Sequence, residues 1–145
     1  MQGMKYRKQA HSVYHTQYHL VFVTKYRRKI FKNNIPAYLK AVLENTSKTY
    51  PDLEILEMNT DKDHIHLLMI IPPKYAVSDI VRLLKTNTSR AMKNRFPFLR
   101  NMYQHDNLGL WSDGYFVSTV GVDRGTIERY IMQQGKEDKG QTKFF

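Results

Sequence analysis

Asp61-Lys62-Asp63-His64-Ile65-His66-Leu67-Leu68-Met69-Ile70-Ile71 is the stretch on which the reading of this chain turns. From Ile65 it is almost continuously apolar, which predicts a buried central strand between a polar turn and Pro72-Pro73. Two histidines stand at its start, one residue apart. Alternate residues of a strand point the same way, so His64 and His66 share a face, with α-carbons roughly 6.6 Å apart. That spacing suits two imidazoles converging on one metal ion. It equally suits two hydrogen-bonded or solvated histidines at a strand end, and the rest of the chain has to decide.

Just upstream, Leu53 to Asn59 reads as a strand, and Thr60 to Asp63 as the hairpin turn into the histidine strand. Before that, Asn33-Asn34 offers an N-cap and Pro36 fits a first helical turn. Ile35, Leu39, Val42 and Leu43 keep helical spacing up to a stop at Pro51. Tyr14 to Thr24, rich in aromatic and β-branched residues, reads as the first strand. Residues 1–12 read as a flexible basic arm.

Downstream, Ser78 is expected to cap a second helix with Ile80, Val81, Leu83, Leu84 and Ala91 inward and Arg82, Lys85, Arg90, Lys93 and Arg95 outward. Pro97 ends it. Residues 98–113 read as a loop holding the only tryptophan, Trp111. Tyr115 to Val120 is a fourth strand, Gly121 to Gly125 a hinge, and 126–134 a last helix closing at Gly135. Residues 136–145 read as a mobile tail. The order predicts one α+β domain over 1–145. Its core, 14–121, is an antiparallel ferredoxin-like (RRM-like) βαββαβ sheet, followed by a C-terminal helix.

The net charge of +10 is unevenly placed. Residues 1–50 hold ten Lys or Arg against Glu44 alone, whereas 51–145 hold thirteen against twelve Asp or Glu. Such a half favours a polyanion, most simply nucleic acid, although a solvated basic surface would have the same composition. Ten tyrosines among the cations suit unpaired bases. Lys25-Tyr26-Arg27-Arg28-Lys29 is the candidate cluster for phosphates. With no cysteine there is no disulfide framework and no thiolate metal site. No apolar run has the length of a membrane span, and no leader pattern is present. A cytoplasmic protein with no membrane partner and no small-molecule substrate is expected.

In the last helix Tyr130 and Gln134 are four apart and lie on one face, while Ile127 and Ile131 supply packing. Tyr130 either packs while Gln134 faces water, or the two act as nucleophile and metal ligand. A phenol of pKa about 10 is a poor nucleophile unless its target is made electrophilic. A divalent cation held by two imidazoles and an amide oxygen would do so at a phosphodiester. Covalent attack would then store the bond energy in a phosphotyrosine.

Taken together, these residues resemble a known family. His64-Ile65-His66 is similar to the HUH motif of single-strand endonucleases. The segments 18–29, 61–68 and 116–121, with Tyr130-Ile-Met-Gln-Gln134, resemble TnpA, the single-tyrosine transposase family of small bacterial and archaeal insertion sequences. The likeness runs from about Tyr14 to about Gln134.

The resemblance implies a homodimer that binds single-stranded DNA with hairpin ends, cuts it through a 5′-phosphotyrosine and rejoins the strands. It makes Tyr130 the nucleophile, and His64, His66 and Gln134 the ligands of Mg²⁺ or Mn²⁺. It places Lys25, Arg27 and Arg28 on the DNA-binding surface. In such proteins the tyrosine helix can swing between subunits, and the 121–125 stretch fits that hinge. Asp61 and Asp63 flank the pair, either orienting the histidines or, as the turn favours, serving the turn alone; His15 and His19 read as strand-face residues. Two other outcomes stay open: a host-adapted HUH endonuclease acting on repeated palindromes, and a non-catalytic single-stranded nucleic-acid-binding domain of the same fold.

Overall fold

The structure, a computed structural model, describes residues 7–9, 12–14, 16–103, 109–121 and 123–140. Four strands build the sheet: β3 (Gln17–Val23), β4 (Glu54–Thr60), β5 (His64–Ile70) and β6 (Phe116–Ser118). They lie in the antiparallel order β4-β5-β3-β6. Ahead of them, β1 (Arg7–Gln9) and β2 (Ser12–Tyr14) form a separate two-stranded ladder. Three helices complete the α+β core: α1 (Ile35–Thr49), α2 (Val77–Arg95) and the short α3 (Pro97–Met102). The last helix, α4 (Arg124–Asp138), follows β6. With β3 and β5 central and α1 and α2 as crossovers, this is the expected ferredoxin-like βαββαβ arrangement.

Cross-strand partners share a face, so the register sorts the sheet into two sides. The pairs Leu20↔Leu67 and Phe22↔Ile65 lie on one side, in a single core with Leu39 and Leu43 of α1 and Leu84 and Met92 of α2. Truncating a ring such as Phe22 here costs about 3–5 kcal/mol. On the other side stand Val21↔His66 and Val23↔His64. Val21 and Val23 are fully buried there, on the strand against which α4 packs. Cover on both faces explains why β3 and β5 read as near-continuous apolar runs rather than as alternating strands.

Trp111 closes the edge of this core. Its indole nitrogen donates to Thr88 Oγ1 at 2.9 Å, and its ring stands 5.8 Å from Phe22 and 5.7 Å from Phe31. Its backbone bridges to Thr24 at the end of β3.

Several boundaries differ from the sequence reading. The first strand begins at Gln17, and Ser12–Tyr14 pairs with Arg7–Gln9 where an arm was expected. The rest of that segment, and His15, lie outside the described residues. Asn34 is the N-cap of α1 but makes no side-chain cap bond. Ser78 does not cap α2, because the chain turns at Pro72–Tyr75 and extended Ala76 takes the junction. Pro97 starts α3 inside the segment expected to be loop, of which 104–108 lie outside the described residues. The fourth strand is only Phe116–Ser118.

The tyrosine helix starts at Arg124, capped by Asp123, whose carboxylate accepts from the Thr126 amide at 2.8 Å. It runs through Gly135 to Asp138, into the expected tail. Gly135 sits inside the helix because a Cβ there would meet the stem of Arg27. It is a close-approach glycine rather than a helix stop. Of the tail, 141–145 lie outside the described residues. Among the described residues no helix is long and apolar enough to cross a membrane.

Candidate nucleic-acid active site

The two strand histidines open into a cleft of about 240 Å³, walled by Asp61, His64 and His66 on the sheet side and by Arg124, Ile127, Glu128 and Ile131 of α4. Strand periodicity brings the imidazoles to one face, and α4 roofs that face.

Each ring is oriented by a neighbour. His64 Nδ1 donates to Asp63 Oδ1 at 2.9 Å, and Asp63 Oδ2 accepts from Arg27 Nε at 3.2 Å. Fixing one nitrogen on a carboxylate leaves Nε2 as the free lone pair, the arrangement in which histidine binds metals best. Burial alone would raise the Asp63 carboxyl, but the bonds from His64 and Arg27 outweigh it and hold the group below the usual carboxylate range. The favoured expectation of a mere turn residue is therefore corrected for Asp63. Asp61 does serve its turn, accepting from the Lys62 amide at 2.8 Å.

His66 Nε2 shares a hydrogen bond with His19 Nδ1 at 3.1 Å. Burial, with the His19 and His64 rings nearby, lowers its pKa against an opposing pull from Glu57, which favours the neutral ring. His19 was expected to be a strand-face residue, and its partnership with His66 had no local signal, since the two are 47 residues apart.

Two imidazoles on one cleft wall fit a divalent ion that keeps water and phosphate oxygens in its remaining positions. Among the described residues no group of three His, Cys, Asp or Glu side chains converges as a metal site.

Tyr130 and Gln134 are not brought to this cleft. The Tyr130 ring packs edge-on against Phe116, 5.8 Å between centroids, and its buried hydroxyl has no hydrogen-bond partner among the described residues. Burial, and then the charges of Glu137 and Asp138, push the phenol well above its ordinary value. Gln134 is buried rather than solvated; its Oε1 accepts from the Gly114 amide at 3.3 Å and its Nε2 donates to Glu137 at 2.8 Å.

Nor do the expected phosphate contacts stand free. Lys25 is mostly buried, 3.5 Å from Asp138, and Arg27 is committed to Asp63. Arg28 lies over the rings of Tyr26 and Tyr103 and donates to the Met102 carbonyl. Cations that face solvent lie on α2 as well as elsewhere on the chain, the half-exposed Arg27 and Lys29 included. Arg82, Arg90 and Lys93 line a groove of about 670 Å³ between that helix and the 109–115 segment, with Tyr115 at its wall. Their helical spacing was legible in sequence; that a groove runs beside them was not.

Comparison with known proteins bears on what this arrangement is for. A profile of the family described as Transposase IS200 like matches residues 12–134. The transposase for insertion sequence element IS200 of Salmonella typhimurium is 36% identical over 130 residues, covering 90% of this chain and 84% of the relative. The ISDra2 transposase TnpA of Deinococcus radiodurans is 32% identical over 123 residues, 84% of this chain and 86% of the relative. A crystal structure from Deinococcus radiodurans R1, of a protein assigned as a transposase, superposes with a TM-score of 0.78 at 32% identity, over 88% of this chain and 97% of that one. A REP-associated tyrosine transposase bound to a REP hairpin shares the fold, with a TM-score of 0.52 at 13% identity over 88% of this chain and 70% of that one. By profile, sequence and fold alike, this chain belongs to the IS200-like transposase family.

Proposed function

We propose that this transposase cuts and rejoins single-stranded DNA with Tyr130 as nucleophile, His64 and His66 as metal ligands, and Gln134 as the third. One observation carries the reading: His64 and His66 share a cleft whose opposite wall is the helix that bears Tyr130. A divalent ion, Mg²⁺ or Mn²⁺, held at the pair would draw charge from the oxygens of the scissile phosphate. Asp63 keeps His64 turned for that task. The Tyr130 oxygen attacks phosphorus, the 3′ oxygen leaves, and a 5′-phosphotyrosine forms; the freed 3′-hydroxyl can reverse the step elsewhere.

The phenol cannot act from its present seat, where its hydroxyl faces protein without a partner. A second position of α4 is therefore part of the proposal, reached within this chain or on the partner of a homodimer. DNA with hairpin ends is proposed to lie along the α2 groove, where Arg82, Arg90 and Lys93 meet its phosphates and Tyr115 meets an unpaired base.

The test is incubation of labelled single strands bearing a hairpin, with and without Mn²⁺. A metal-dependent covalent adduct that disappears in Tyr130→Phe is expected, with hairpin binding surviving His66→Ala. Binding without any adduct would mean a non-catalytic nucleic-acid-binding domain.

A further inference from the structure

The end of α4 carries a buried carboxylate that the chemistry of the cleft does not use. The Asp138 side chain is 4% exposed. Its Oδ2 accepts from the Ser112 hydroxyl at 2.6 Å and from the Tyr26 amide at 2.8 Å. Its Oδ1 stands 3.5 Å from the Lys25 ammonium. An anion in the last turn of a helix opposes the helix dipole, and burying it is costly unless it is paired. Its place therefore depends on these three partners, contributed by the 25–27 turn and the 109–115 segment of the ferredoxin-like core.

The receiving turn is itself unusual. Tyr26 and Arg27 take φ of 60° and 53°, a left-handed conformation that non-glycine residues hold only where their surroundings fix it. Asp138 fixes Tyr26 through its amide, and Arg27 is fixed by Asp63 and lies under Gly135. The turn and the helix end are built to fit each other.

A helix is stiff, so a seat at its last residue sets the rotation of its whole length. With this seat filled, Ile127, Glu128 and Ile131 face the cleft. Tyr130, three residues on from Ile127, is turned roughly 60° away around the axis. Gln134 is held by Gly114 and Glu137.

We propose that Asp138 is a positioning residue: gripped by the Tyr26 amide, the Ser112 hydroxyl and the Lys25 ammonium, it seats α4 in the orientation that withholds Tyr130 from the His64–His66 cleft. Leaving that seat is the movement that frees the phenol. The catalytic consequence rests on Tyr130 being the nucleophile; the seat itself does not.

The test compares the full-length chain with Asp138→Ala, Asp138→Asn and Ser112→Ala by amide hydrogen exchange, and by nitration of Tyr130 read from its peptide mass. In Asp138→Ala, exchange across 124–138 should quicken roughly tenfold, the scale of one lost hydrogen bond to a charged group. Tyr130 nitration should rise with it, while β3 and β5 keep their protection. Asp138→Asn, which keeps an acceptor oxygen, should fall between, and Ser112→Ala should add little on top of Asp138→Ala because both empty the same seat. On hairpin DNA the cleavage rate at saturation should rise severalfold with binding unchanged. Wild-type exchange and nitration in Asp138→Ala would overturn the proposal. So would loss of protection in β3 and β5 together with α4, or slower cleavage from an intact sheet. If the wild-type chain forms no adduct, the nucleophile assignment fails, yet the exchange data still judge the seat.

Discussion

The carboxylate of Asp63 holds His64 by its Nδ1 at 2.9 Å while its other oxygen takes the guanidinium of Arg27. One aspartate thus ties the histidine-bearing strand to the 25–27 turn on which α4 rests. Removing it should release both. Asp63→Ala is expected to weaken Mn²⁺ binding about 10–100-fold, the usual cost of losing the group that orients a histidine ligand. Titration calorimetry with Mn²⁺ on the apo chain checks this; unchanged affinity would return Asp63 to a turn role.

Tyr130→Phe separates function from stability. The hydroxyl is buried without a partner, and such a group costs about 1–3 kcal/mol. Its removal should abolish the covalent adduct and yet raise the unfolding midpoint in urea. A lower midpoint would mean that the phenol has a partner in solution.

Gly135→Ala runs against helix propensity. Alanine inside a helix ordinarily gains about 1 kcal/mol over glycine. Here its Cβ would meet the stem of Arg27, a half-exposed side chain held by Asp63. A net loss of about 1–3 kcal/mol, as for other overpacked sites, is expected in chemical denaturation, and Arg27→Ala should relieve it. A stabilised Gly135→Ala would show that α4 does not rest on that turn.

Lys85 gives stability a pH dependence. Its ammonium donates to the carbonyls of Ser112, Asp113 and Gly114 at 2.7, 3.2 and 2.7 Å. Burial lowers it to about 8, against the pull of Asp113 and Asp138. Between about pH 8 and the ordinary lysine value near 10.4, the unfolded chain binds more protons than the folded one, so stability should rise with pH there. A gain of about 2 kcal/mol is expected, discounted for partial exposure. Above about pH 10 the raised phenol of Tyr130 reverses the trend, since the unfolded chain then loses its proton first. Urea midpoints across this range should rise in the wild-type chain and flatten in Lys85→Met; identical profiles would contradict the assignment.

Arg82→Ala with Arg90→Ala should weaken hairpin binding and reduce the slope of log affinity against log salt by about 2. Lys25→Ala and Arg28→Ala should mainly lower stability, since both are committed within the protein. A full salt slope in the Arg82/Arg90 pair would move the DNA surface elsewhere.

Much of this was legible in the chain because it is local. The apolar run after Ile65, the turn at 60–63 and the helical spacing of Leu39 and Leu43 fix the sheet and one of its helices. Two-residue periodicity puts His64 and His66 on one face. What stayed hidden depends on distant packing. Asp138 meets Tyr26 across 112 residues, and nothing near Gly135 says that it faces Arg27 rather than ending a helix. Tyr130 and Gln134 were read as one face, which they are, but which way that face turns is set by the helix end, outside the stretch taken to be helical.

The most direct test of the central claim is the mass of the peptide Tyr130–Lys136 after reaction with hairpin-bearing single-stranded DNA and Mn²⁺, followed by nuclease and trypsin digestion. A nucleotide increment on Tyr130, present in the wild-type chain and absent in His64→Ala, is the expected result. An increment on another residue, or strand cleavage that leaves this peptide unmodified, would contradict the account.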